Sequence, residues 1–125
     1  MDEEIKKALS GDTDGLLTYE FMANHIEAGH EVMDILVDNM IAVDRTGQFT
    51  VSAARYLSAV ESKYYAKQIS RLVSAAIEKD REHRYIADLL PSVWGSDYQE
   101  HIDTLIETDN NFRRIYKRLY PSNII

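Results

Sequence analysis

From Tyr19 onward, apolar positions recur at alternating steps of three and four: Tyr19, Met22, Ile26, Gly29, Met33, Leu36, Met40 and Val43. That spacing predicts one amphipathic helix over residues 16–44, with Val37 widening its seam. Gly29 falls within the seam, where it leaves a notch for close helix packing. A second stripe, Tyr65, Ile69, Leu72, Ala76, His83, Ile86 and Leu90, lies about 100° around the helix from Ala53, Leu57, Val60 and Tyr64, so the buried face changes near Tyr64–Tyr65. Thr50 is the expected N-cap of that segment.

Uninterrupted, residues 50–90 would extend about 60 Å, against about 43 Å for 16–44. A break within residues 78–84 is therefore expected, the alternative being an overhang that packs on a second subunit. The third stripe is Tyr98, Ile102, Leu105, Phe112, Tyr116 and Leu119, with Ser96 and Gln99 in a capping-box pattern before it. Asp109 stands at a core position of this stripe, either as the cap of a second helical segment or as a buried carboxylate with a partner. No internal repeat is read from the chain.

These elements define the expected fold: an all-α, antiparallel helical bundle of three long helices (about 16–44, 50–80 and 97–120), with short flanking helices at about 2–9 and 83–90. The 125 residues are expected to form a single domain spanning 1–125. There is no cysteine, which removes disulfides, thiolate nucleophiles and iron–sulfur ligation and fits a reducing, cytoplasmic location. The charged start MDEEIKKALSGDTDG has no apolar core of an export signal, and no apolar run reaches the roughly 20 residues that span a bilayer.

Charge is unevenly placed. Residues 1–44 carry eleven acids against Lys6 and Lys7, whereas residues 45–125 carry twelve bases against ten acids, within a net charge of −7. On a continuous helix, Glu20, Glu27, Glu31, Asp34 and Asp38 project within about 60° of one another, opposite the seam, with no Lys or Arg between Lys7 and Arg45. Like charges at that spacing cost a few tenths of a kcal/mol per pair unless compensated. The ribbon is read as a solvated face or as the docking surface for a basic partner, supplied by another protein or by the Arg/Lys-rich parts of residues 50–80 and 97–120 of a neighbouring subunit, with a homodimer through the tyrosine-rich part of residues 50–80 as a further expectation.

Glu27-x-x-His30 has the spacing of a carboxylate–imidazole metal pair in di-metal bundles, but the helical phase turns Glu27 about 140° from the seam, so no metal and no cofactor is assigned. A second such pair, Asp80-x-x-His83, falls in the segment expected to be distorted. His25, His101 and Asp109 form a candidate buried polar cluster, read first as a structural hydrogen-bond set. The basic patch Arg113, Arg114, Lys117 and Arg118, with Tyr116 and Tyr120, has the composition of a nucleic-acid surface, yet cations are also favoured in the last turns of a helix. No nucleophile elbow or phosphate-cradling glycine loop occurs. The expected function is therefore a non-enzymatic protein-interaction or regulatory module, with a nucleic-acid-associated or metal–carboxylate protein as alternatives.

Overall fold

Two short stretches, Asp12-Thr-Asp14-Gly15-Leu-Leu-Thr18 and Asp44-Arg-Thr46-Gly47-Gln-Phe-Thr50, explain how the chain reverses between helices. In each, the glycine adopts the left-handed conformation (φ +106° and +90°), which an L side chain resists. That turn folds the backbone back over the aspartate. Oδ1 of Asp12 accepts the Gly15 N–H at 2.8 Å, and Oδ2 accepts both the N–H (2.8 Å) and the hydroxyl (2.5 Å) of Thr18. Asp44 repeats the set with Gly47 (3.1 Å) and Thr50 (2.8 and 2.8 Å). Each carboxylate thus satisfies N–H groups at the start of a helix, and Thr50 is the capped residue rather than the cap.

The computed structural model describes residues 2–123, and every regular element among them is helical. Helices α1 (Asp2–Leu9), α2 (Leu16–Asn24), α3 (His30–Val43), α4 (Gln48–Glu61), α5 (Ala66–Lys79), α6 (Leu89–Trp94), α7 (Ile102–Thr108) and α8 (Asn110–Leu119) are joined by turns, with 3₁₀ turns at Ile86–Asp88, Tyr98–His101 and Pro121–Asn123.

A helical bundle is what the stripes predicted, but each expected long helix is divided. Residues 16–44 break at 25–29, where Nδ1 of His25 lies 2.9 Å from the Phe21 carbonyl and Gly29 turns the chain with φ +97°. A Cβ at Gly29 would meet nothing within 4 Å, so this glycine serves the turn and not the expected packing notch. Residues 50–80 break between Glu61 and Ala66, where the stripe changes face. The break expected at 78–84 is present, since α5 ends at Lys79. Residues 97–120 divide at Asp109, which accepts the Phe112 N–H at 3.1 Å and is therefore the cap. Ahead of α7, the expected Ser96 box gives way to the 3₁₀ turn, which has no side-chain cap.

The pieces stack in two layers. In one, α2 packs on α4 and α4 on α6; in the other, α1 packs on α3, α3 on α5, and α5 on α8. Within α3, Met33, Leu36, Val37 and Met40 are buried; within α5, Ile69, Leu72, Val73 and Ala76 are buried at the same steps of three, four and seven. Phe112, Ile115, Tyr116 and Leu119 of α8 repeat the spacing. An internal repeat is therefore present, contrary to the reading of the sequence: Leu36-Val37-x-x-Met40-Ile41-x-x-Asp44-Arg45 matches Leu72-Val73-x-x-Ala76-Ile77-x-x-Asp80-Arg81. Successive helix pairs stacked this way form a short solenoid, in which each pair buries its apolar face against its neighbours.

Asp80 begins a third turn, with altered chemistry. Its carboxylate is 2 % exposed and accepts the N–H groups of Arg84 (2.9 Å), Tyr85 (2.7 Å) and Ile86 (2.8 Å). His83 occupies the place of the glycine, at φ +57°. The turns also pack in series: a Cβ placed on Gly15 would lie 3.3 Å from Asp44 Cβ, and one on Gly47 would lie 3.3 Å from Asp80 Cβ.

The two left-handed positions should respond oppositely to substitution. Gly47→Ala adds strain and crowds Asp80, and is expected to lower stability by about 1–2 kcal/mol. His83→Gly removes a strained side chain and should leave stability unchanged or raise it by up to about 1 kcal/mol. Urea midpoints of the two variants check this, and an unaffected Gly47→Ala would show that the turn does not need its glycine.

Candidate functional site

The structure distributes the acidic ribbon over three elements. Glu20 lies on α2, Glu27 in the turn at 25–29, and Glu31, Asp34 and Asp38 on α3, so the single-face geometry of a continuous helix is lost. Arg71 of α5 pairs with Asp38 at 2.5 Å and approaches Asp34 at 3.9 Å, while Gln68 Nε2 donates to Asp34 at 3.0 Å. Basic compensation for the ribbon thus comes from the next hairpin of the same chain. Among the described residues, Glu20, Glu27 and Glu31 have no salt bridge.

The same crossing recurs one step along the stack, where Arg114 of α8 pairs with Glu78 of α5 and donates to Ser74 at 3.2 Å. Of the basic patch, Arg113 bonds Asn110 at 2.9 Å, Arg114 and Arg118 are half-buried, and Lys117 is exposed. Arg114 is therefore partly committed to holding α8 against α5.

His25, His101 and Asp109 do not form a buried cluster. His25 is exposed and stacks on Phe21 with ring centres 3.9 Å apart; His101 is exposed 3.3 Å from Asp97; Asp109 caps α8 and accepts Trp94 Nε1–H at 2.8 Å. A continuous-helix phase placed the histidines wrongly once the helices broke. Glu27 and His30 likewise sit on a turn and at a helix start, so the metal-pair spacing is not realised on one helix. His30 instead stacks near Tyr64 (4.0 Å) beside buried Tyr65, whose hydroxyl donates to the Ile26 carbonyl at 2.5 Å. Burial pushes the Tyr65 hydroxyl above the ordinary tyrosine range. Among the described residues, Asp97, Glu100 and His101 bring ligand atoms within 4.8 Å of one another, and all three are exposed.

Two surface depressions follow from the stack. A groove of about 370 Å³ crosses the first layer, lined by Tyr19 of α2, Ser52, Arg55, Tyr56 and Ala59 of α4, and Ser92 of α6. Tyr19 and Tyr56 meet edge to face at 6.3 Å, and Arg55 Nε donates to Ser92 at 3.0 Å while approaching Asp88 at 3.9 Å. Three successive hairpins therefore contribute to one continuous surface. The larger depression, about 500 Å³, lies between the second and third aspartate turns, with Arg45, Lys79, Arg81, Arg84 and Tyr85 on its walls. None of Arg55, Arg71, Arg45 or Arg81 stood out in the linear sequence. The repeated Asp-Arg dipeptide at 44–45 and 80–81 was the available signal for the last two.

At Asp12, burial favours the neutral acid, but bonds from the Thr18 hydroxyl and from the N–H groups of Thr18, Gly15 and Asp14 outweigh it and hold the carboxyl below the ordinary aspartate range. The fold and these surfaces define a class: an all-α protein built of stacked helix pairs. No helix among the described residues is long and apolar enough to cross a membrane. No family model, characterised protein or solved structure matches the chain.

Because its folded pKa is depressed, the stabilisation from ionised Asp12 is complete above the unfolded value near pH 4 and is lost as pH falls through the folded value. Asp12→Asn should therefore flatten the decline of the urea midpoint below about pH 4 relative to the parent protein. Parallel curves for the two proteins in that window would assign the acid sensitivity to other groups.

Proposed function

We propose that this protein is a small binding module, acting through protein–protein contact rather than catalysis, with the groove across the first layer as its principal docking surface. The observation that carries this reading is the continuity of that groove over α2, α4 and α6, with Tyr19, Tyr56 and Arg55 at its centre. Solenoids of stacked helix pairs present extended surfaces of this kind, and tyrosine and arginine are the side chains that most often anchor a protein interface. The lack of cysteine supports a cytoplasmic setting.

A basic partner remains the reading for Glu27 and Glu31, which have no salt bridge among the described residues and lie within four positions of each other at the α2–α3 turn. With Asp34 and Asp38 engaged by Arg71, that acidic surface is smaller than the linear sequence implied. The basic C-terminal helix offers a weaker case for nucleic acid, since Arg114 is tied to Glu78.

A photo-crosslinking residue in place of Tyr56, compared with one at Lys117 on the other layer, tests the docking surface in the native source. A discrete adduct is expected from position 56 and none from 117, and its mass separates a different protein from a second copy of the chain. Absence of an adduct at 56, or equal adducts from both positions, would reject the groove. Glu27→Lys with Glu31→Lys should leave the position-56 adduct in place if the groove alone is responsible.

A further inference from the structure

We infer that the cleft between the second and third aspartate turns is an anion site that takes a phosphate group between Arg45 and Arg81. The two arginines occupy equivalent places in the repeat, each directly after the buried aspartate that closes its turn. Since the turns pack in series, with Gly47 against Asp80, successive turns place both arginines on the wall of the same cleft of about 500 Å³. The corresponding residue of the first turn is Thr13, so the cationic pair belongs to these two turns.

The carboxylates lining this cleft are all committed. Glu78 pairs with Arg114, Asp80 accepts three backbone N–H groups, and Glu82 pairs with Arg84 at 2.6 Å. Lys79 is held at the cleft by the carbonyls of Ile41 (2.6 Å) and Asp44 (2.5 Å), which fixes its ammonium where the α3 carbonyls end. Arg45 and Arg81 have no salt bridge among the described residues. Within a chain of net charge −7, the cleft thus sets Arg45, Lys79, Arg81 and Arg84 against Glu78, Asp80 and Glu82, and it leaves Arg45 and Arg81 without a salt bridge among the described residues. Paired planar forks match the several oxygens of a phosphate, whereas a spherical halide offers no such set of acceptors; Tyr85 also lines the cleft, and the Thr46 hydroxyl is turned to Asp44 at 3.4 Å.

The phosphate can come from a free phosphate ester or from a phosphorylated residue of another protein. Calorimetric titration of the full chain with inorganic phosphate, pyrophosphate and a phosphoserine peptide separates these sources, with the unphosphorylated peptide as blank. Tighter binding of pyrophosphate indicates a free ester, and tighter binding of the phosphopeptide indicates a protein ligand. In either case Arg45→Gln with Arg81→Gln should weaken binding by at least about tenfold, because two charge-assisted contacts are removed. Lys63→Gln with Lys67→Gln, in the turn before α5 and in its first turn, should change it less than about twofold, as expected of charges outside the site. Amide shifts on phosphate addition should centre on Thr46 and Arg81. No binding of any phosphate probe up to about 10 mM, or equal binding by the Arg45/Arg81 double variant and the parent, overturns the site.

Discussion

A buried aspartate at the end of one helix, accepting the first N–H groups of the next, is the interaction on which this architecture depends. Asp12, Asp44 and Asp80 are 7 %, 1 % and 2 % exposed, and a carboxylate removed from water to that degree is costly unless its lone pairs are filled. Backbone N–H groups and, at the first two turns, a threonine hydroxyl fill them. The same bonds satisfy helix-terminal donors that would otherwise be orphaned beneath the neighbouring turn. Burial of the charge and closure of the turn are thus one event. The left-handed residue at the third position after each aspartate is the geometric condition for it.

Repetition of that device turns individual hairpins into a stack. Because each turn rests on the next through Gly15 or Gly47, the helices it launches fall in register: α2, α4 and α6 on one side, and α1, α3, α5 and α8 on the other. Side chains at equivalent places then share a surface, which is how Tyr19 and Tyr56 come to one groove and Arg45 and Arg81 to one cleft. Surface charge follows the same order. Acids on α3 meet Arg71 on α5, which joins the acidic first part of the chain to the basic second part, and Glu78 on α5 meets Arg114 on α8 within the second part. Being largely exposed, these pairs orient the helices more than they stabilise them.

Much of the architecture was legible from spacing. Helical periodicity named most of the core, since Met22, Met33, Leu36, Met40, Leu57, Tyr65, Ile69, Leu72 and Phe112 are all buried. Asp109 as a cap was readable from the poor helix residues around it, and the break after Lys79 from the length an uninterrupted helix would have reached. The divisions at 25–29 and 62–65 were not, because neither holds a proline and the single glycine among them fitted a helical seam equally well. The division at 25–29 bears directly on the site. A helical wheel drawn through the turn at 25–29 gave the acidic ribbon one face and set His25 toward a core it does not enter, while His101 was displaced separately by the 3₁₀ turn at Tyr98–His101.

What the amino-acid order determined by itself was local: which residues are apolar at helical spacing, where a carboxylate can cap a following helix, and which chemistries lack their atoms. The repeat was also present in it, as two copies of Leu-Val-x-x-[Met/Ala]-Ile-x-x-Asp-Arg at 36–45 and 72–81, although the turn after the second copy has His83 where the other turns have glycine. Only the tertiary structure decided which charges are free, because that depends on side chains 33 to 36 residues apart, such as Arg71 with Asp38 and Arg114 with Glu78. Periodicity records what a helix buries; it holds no information about which neighbour lies across from what it leaves exposed.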